Sequence, residues 1–278
     1  PMESASHKIC AICGSKKYER LDAETRFKKL DQVPEQFIVK CCSCGIVTRS
    51  PSLFDPRFNR EAEVDVRRDE DFIGGDTTSV AEHIKSRLDH ASGKVSGKTL
   101  LDIGCGSGAM LLHAKEQGWT VCGTEQELAA VEKLAAYEIQ CFTGDLDEPA
   151  LLAMRFDLIH MNHVLEHVEN PLRVLKIIRM LLKDDGVAII EVPNELDALT
   201  QRLRRILKLD GSSITTYFQH EWYFTPQSLR DICEKANLSV MALNTPFRRS
   251  NNFIKDIVRA PAAAVGHGEV IEAYLTKR

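Results

Sequence analysis

The stretch "TLLDIGCGSGAMLLH", Thr99 to His113, decides how the rest of the chain is read. Thr99–Ile103 has the apolar character of a buried strand, and it runs into a loop that carries Gly104, Gly106 and Gly108. The apolar spacing after the loop predicts a helix over Ala109–Gln117. Glycines in such a loop let the backbone turn tightly and come close to a ligand, and the helix start behind it presents unpaired N–H groups. Two spacings fit. Gly104, Gly106 and Ala109 match one nucleotide-binding pattern, with the acid Glu125 about 20 positions later. Gly104, Gly106 and Gly108 after Leu101-Asp102 match another.

Strand and helix signals alternate beyond this unit. Strands are predicted at Thr120–Thr124, Ile139–Phe142, Leu158–Met161, Gly186–Val192 and Leu238–Asn244, and helices at Leu128–Tyr137, Pro149–Met154, Asn170–Leu182 and Pro226–Ala236. Thr225 is placed to cap the last helix, with Pro226 in its first turn. Such alternation predicts an α/β fold, a Rossmann-like doubly wound parallel sheet with helices on both faces. The stretch Ser250–His267 breaks the rhythm, so the final strand, Glu269–Thr276, arrives without a crossover helix and is expected to be antiparallel. The chain of 278 residues is 44% hydrophobic with a net charge of −4, which gives a sizeable core and no strong nucleic-acid signature. No apolar run approaches the roughly 20 residues of a membrane span, and no signal peptide is read, so a cytoplasmic location is expected.

Five of the nine cysteines fall in the first 44 residues. "CAICG" and "CCSCG" are two C-x-x-C-G knuckles, and each turn can place two thiolates on one ion. Cys10, Cys13, Cys41 and Cys44 therefore predict a structural Zn2+ site in a small ribbon, with a strand at Gln36–Cys41 and Cys42 as a spare thiol. Basic and acidic residues balance in this module, which favours a stapled unit that shapes a neighbouring site over a polymer-binding one. The expected organisation is a zinc ribbon at 2–50, a linker and helix at 51–96, and a third unit at 97–278 with an insertion near 196–218. Within the linker, Arg60–Arg68 has a weak helical signal, and Thr77–His90 is helical with Val80, Ile84 and Leu88 on one face.

From Lys98 onward the chain resembles the class I S-adenosylmethionine (SAM)-dependent methyltransferases. The resemblance rests on "LDIGCGSG", "VCGTE", "GDL" at Gly144–Leu146, "FDLIHMNHVLEHVENPLRVLKIIRMLLKDDGVAIIEVPN" and "HEWYFTPQSLRDICEKANLSV", in that order. The cysteine prefix resembles one found in subgroups of the family that act on sugars and small natural products. The resemblance implies SAM rather than a dinucleotide on the glycine loop. It places Gly104, Gly106 and Gly108 against the methionine and ribose, Asp102 at the loop or the methionine ammonium, and Glu125 on the ribose hydroxyls. Asp145 would accept from the adenine amine, Leu146 would offer its amide to the ring, and Asn162 and His163 would lie beside the sulfonium.

Methyl transfer needs alignment, and a base only where the acceptor must lose a proton. His220, in "YFQHEWYFT", is the preferred base, with Tyr217, Phe218, Trp222, Tyr223 and Phe224 as an acceptor wall or as ordinary core. His163 is the second catalytic candidate. If a helix starts nearby, His163, Glu166 and His167 share a face and could hold an additional divalent ion, or could fix the loop by hydrogen bonds. "QRLRRILKL" at Gln201–Leu209 is either a lid offering arginines or a solvated face. The expected function is methyl transfer to a small-molecule acceptor, first a hydroxyl of a sugar or other polar metabolite. An RNA- or protein-modifying enzyme and a non-catalytic SAM-binding module are the alternatives. The oligomeric state is not legible.

Overall fold

The computed structural model describes residues 9–21, 23–25, 37–50, 52, 54, 77–144, 146–199, 201–203, 214–216, 220–247 and 261–278. Asp145, the Arg60–Arg68 helix, Tyr217, Phe218, the basic stretch from Arg204 and most of Ser250–His267 lie outside the described residues.

The N-terminal module contributes β1 (Tyr18–Leu21), β2 (Ala23–Thr25), β3 (Phe37–Cys41) and β4 (Val47–Ser50). Helix α1 (Thr77–Ser92) follows, and then β5 (Thr99–Ile103), α2 (Ala109–Glu116), β6 (Thr120–Glu125), α3 (Leu128–Ala135), β7 (Gln140–Thr143), α4 (Pro149–Leu152) and β8 (Phe156–Asn162). A 3-10 turn at Leu165–His167 leads to α5 (Pro171–Leu181), β9 (Leu182–Pro193), β10 (Ile214–Thr216), β11 (Trp222–Tyr223), α6 (Pro226–Lys235), β12 (Leu238–Asn244) and β13 (Val270–Lys277).

The large sheet has seven strands in the order β12-β13-β9-β8-β5-β6-β7. Neighbours from β9 to β7 run parallel, whereas β13 runs antiparallel to both β9 and β12. This is the α/β, Rossmann-like, doubly wound fold, with the last strand reversed as expected. Strand β8 and the stretch 186–192 of β9 are almost wholly buried, which their long Ile, Leu and Val runs require of central parallel strands. Alternate residues feed two cores. Leu101, Ile103, Ile159 and Ile190 pack toward α5 and α6, while Leu100, Leu158 and Ile189 pack toward α1 and α2. Leu88 and Ala91 of α1 belong to the second core, so this helix covers the sheet.

Local chemistry sets the helix starts. Asn170 caps α5 by accepting from the Arg173 amide at 3.0 Å. Thr225 and Ser228 form a reciprocal capping box on α6. Strand β9 begins at Leu182, earlier than its apolar run suggests, because Leu182 pairs with Phe156 before a register shift whose extra residues lie on β9.

The smaller sheet has the order β1-β3-β4-β11, so its last strand comes from a distant part of the chain. Cys10, Ile12, Cys41 and Ile46 of the N-terminal module are buried in the same core as Trp222, Phe224 and Ile232. Strand β10 pairs in parallel with β2.

Candidate active site

The two knuckles converge. Cys10 Sγ lies 3.7 Å from Cys44 Sγ, and Cys13 Sγ lies 3.6 Å from Cys41 Sγ. All four sulfurs fall within 4.8 Å of one another. Zn–S bonds of about 2.3 Å give a tetrahedron with edges of about 3.8 Å, so the donor set fits one such ion. Gly14 and Gly45 both take φ of 73°, which glycine adopts at no steric cost. Their amides donate to the carbonyls of Cys10 and Cys41, at 2.8 and 2.9 Å, and so close the two turns. Cys42 is exposed and stands outside the cluster.

The glycine loop leaves the C-terminal end of β5. Gly104 has φ of 66°, and a Cβ there would meet Val164 Cγ2 at 2.4 Å, so this glycine is required by its neighbour as well as by its backbone. Gly106 has φ of 51° and open space where a side chain would stand, which is the cradle a ligand needs. Gly108 caps α2. Glu125, the last residue of β6, reaches over the loop. Its carboxylate accepts from the Gly106 amide at 2.8 Å and from the Gln126 amide at 2.6 Å. Leu146 is buried in the sheet core.

Asp102 is buried and is held from the side. His160 Nδ1 lies 2.7 Å from its carboxylate, and His160 Nε2 lies 3.3 Å from Arg87 Nη1. Arginine can only donate, so the network assigns the imidazole proton to Nδ1, donated to Asp102. Arg87 also donates to Asn162 Oδ1 at 3.0 Å and to Glu272 at 2.8 Å, and it pairs with Glu191. Asn162 is thereby occupied by an arginine from α1. Arg87, His160, Glu191 and Glu272 were not singled out by motif. For His160, Glu191 and Glu272 the signal is a charged or polar residue interrupting a strongly apolar run, as in "LIHMN", "AIIEV" and "VIEAYL"; Arg87 carries no such mark.

His163 does not begin a helix. It has φ of 53°, and only Leu165–His167 form a short 3-10 turn. His163 Nδ1 lies 3.2 Å from Glu166, and its Nε2 lies 3.2 Å from Glu191. Burial opposes its charge, but these two carboxylates push its pKa up to about 9. At neutral pH His163 is a cation with both nitrogens engaged, so it is a poor proton acceptor and the sequence-derived role of base does not suit it.

His220 meets that role better. Its Nδ1 lies 2.7 Å from Glu195, and its ring stands edge-on to His167 with centroids 4.8 Å apart. Burial lowers its pKa, but the bond to Glu195 outweighs this and raises it. Glu166 is fully buried. Desolvation pushes its carboxyl up, but the His163 bond and the nearby cations hold it below the usual range. Its Oε2 is buried without a hydrogen-bond partner. Donor atoms of Glu166, His167 and His220 lie within 4.8 Å of one another. Trp222, Tyr223 and Phe224 are each at most 2% exposed and pack in the core, the second of the two readings their spacing allows.

A family model described as a methyltransferase domain matches residues 78–243. The chain belongs to this methyltransferase family. A ubiquinone biosynthesis O-methyltransferase from Histophilus somni is 32% identical over 127 residues, 41% of this chain and 53% of that protein. The relative of the same name from Actinobacillus pleuropneumoniae is 28% identical over 173 residues, 55% of this chain and 71% of its own length. This chain thus spans about half the length of the first of these curated relatives. A solved SAM-dependent methyltransferase from Archaeoglobus fulgidus aligns at 19% identity and TM-score 0.51, over 71% of this chain and 94% of that one. One from Clostridium acetobutylicum aligns at 9% identity and TM-score 0.50, over 78% and 98%. These likenesses are of fold.

Proposed function

We propose that the chain is a SAM-dependent O-methyltransferase acting on a hydroxyl of a small polar acceptor, a sugar or another natural-product-like metabolite. The observation that carries this is the meeting of two groups at one end of the sheet. Val164 packs on Gly104 of the open glycine loop, and the turn it begins carries Glu166 and His167, beside His220 and Glu195. The relatives' name, O-methyltransferase, supports oxygen as the methylated atom.

SAM, when bound, supplies a methyl group already activated by sulfonium. The backbone at Gly104, Gly106 and Gly108 would admit it, and Glu125, with Asp145, Leu146, Asp102 and Asn162, would orient it. His220 would take the hydroxyl proton: Glu195 holds Nδ1–H, which puts the basic lone pair on Nε2. The four cysteines would hold Zn2+, leaving no open position for catalysis there. We divide the chain into the cysteine module at 2–50, a connection, and a methyltransferase unit that begins with α1, in place of residue 97. No described helix is long and apolar enough to cross a membrane.

The test is labelled SAM in an extract of the source cells, separated into small-molecule, glycan, protein and RNA fractions. Label among small molecules or glycans is expected. Label in RNA or protein would overturn the acceptor class, and binding without turnover on any fraction would favour a regulatory module.

The orphaned Glu166 Oε2 favours a second reading, a divalent ion on Glu166, His167 and His220. His220 would then be a ligand and not the base. Calorimetry with Mn2+ on wild type and Glu166→Gln separates the two.

A further inference from the structure

We propose that the cysteine module is a strut for the acceptor half of the site, acting through Thr48 and Glu221 as positioning residues; this rests on reading His220 as part of that site. Strand β11 has only two residues, too few to be ordered alone. Its ladder partner is β4 of the cysteine module, with Trp222 opposite Thr48 and Tyr223 opposite Val47. Just before it, Glu221 is clamped. The Thr48 hydroxyl donates to its carbonyl at 2.9 Å and lies 3.2 Å from its carboxylate. The Arg49 amide donates to the same carbonyl at 3.2 Å, and the Glu221 amide donates to the Glu166 carbonyl at 2.9 Å. Thr48, Glu221 and Glu166 are each at most 1% exposed. The clamp therefore joins β4 to the Leu165–His167 turn through the residue next to His220.

Strand β4 depends in turn on the second knuckle. Cys41 ends β3, its amide donates to the Ile46 carbonyl at 2.9 Å, and Val47 starts β4. Metal binding to such a site becomes folding free energy for the segments it joins. Here those segments carry β11 and Glu221. The cofactor half touches the clamped turn only where Val164 packs on Gly104; its other supports are separate, with Gly104 and Gly106 bonded to Thr124 and Glu125 and Gly108 against Leu134. Zinc loss should therefore loosen His220 and spare the glycine loop. Thr48 would make no contact with substrate or cofactor on this reading.

The test is amide hydrogen exchange read by mass spectrometry on the full chain, zinc-loaded and chelator-stripped, with S-adenosylhomocysteine affinity measured by calorimetry on both. Stripping should speed exchange in peptides covering 220–224 by at least about tenfold, and leave 99–108 and the affinity within about threefold. Thr48→Val, still holding one zinc per chain, should speed exchange at Glu221, and Thr48→Ser should restore it. Unchanged exchange at 220–224 on zinc loss would overturn the proposal, as would equal loosening of both halves, or Thr48→Val behaving as wild type. Zinc-loaded protein that fails to bind S-adenosylhomocysteine would instead overturn the cofactor reading, while exchange at 220–224 still decides the strut.

Discussion

The Glu125 carboxylate accepts the Gly106 amide at 2.8 Å, so the end of β6 and the middle of the glycine loop are bonded to each other before any ligand arrives. The bond ties Glu125 to the loop in its left-handed turn, where the proposed cofactor reading has it meet the ribose hydroxyls. Glu125→Ala should lower S-adenosylhomocysteine affinity about 10- to 100-fold in calorimetry, the scale of losing one or two charge-assisted hydrogen bonds. Affinity equal to wild type would remove Glu125 from the cofactor site.

Arg87 faces two buried glutamates that are cross-strand neighbours, Glu191 and Glu272. Arg87→Met keeps the length of the side chain and removes the charge, which takes from Glu272 its buried cation and leaves Glu191 to His163. A loss of about 3–5 kcal/mol in urea unfolding is expected. A cost below about 1 kcal/mol would mean that water already reaches the pair.

His163 gives stability a basic limit. Its folded pKa, raised to about 9, lies above the unfolded value of about 6.5. The charged form is the one that the fold prefers, so its contribution is complete below pH of about 6.5 and disappears as pH rises through about 9. The melting temperature of wild type should fall across that window, and that of His163→Gln should fall less.

Asp157 acts at the acidic end. It accepts from the Thr99 amide at 2.9 Å and from Lys183 Nζ at 2.8 Å, and although burial raises its pKa, these bonds depress it. A depressed carboxyl stabilises above its unfolded pKa of about 3.9 and loses that contribution as pH falls through the folded value. Asp157→Ala should be roughly 1–3 kcal/mol less stable at pH 7 and should show a shallower loss than wild type on acidification.

His220→Ala should lower kcat by about 10²–10⁴ and leave S-adenosylhomocysteine affinity unchanged, measured on the acceptor that labelling identifies. Because the His220 pKa is raised, the rate should climb with pH above the ordinary histidine range. Glu195→Gln should move that limb to lower pH. A flat profile in both proteins would favour the metal reading of the same histidine.

Much of this was legible in the chain itself. The glycine loop, the spaced acid Glu125, the alternating strands and the Thr225 cap are local patterns, and the structure places each where its spacing implies. Spacing left Trp222, Tyr223 and Phe224 open between an acceptor wall and ordinary core, because aromatic spacing does not say which surface covers them. Here the cover is the cysteine module and the sheet core. The charge state of His163 is hidden for a related reason: it depends on Glu191, which a sequence scan sees only as one more strand residue.

The sequence alone determined the alternating strands and helices of the large sheet, the two cysteine knuckles and the loop that turns at Gly104, because those depend on residues a few positions apart. Only the tertiary structure decided that Arg87 closes on Glu272 across 185 positions, and that Thr48 grips Glu221 across 173. Buried polar groups must find partners wherever the fold brings them, and that requirement is met in space without leaving a periodicity in the chain.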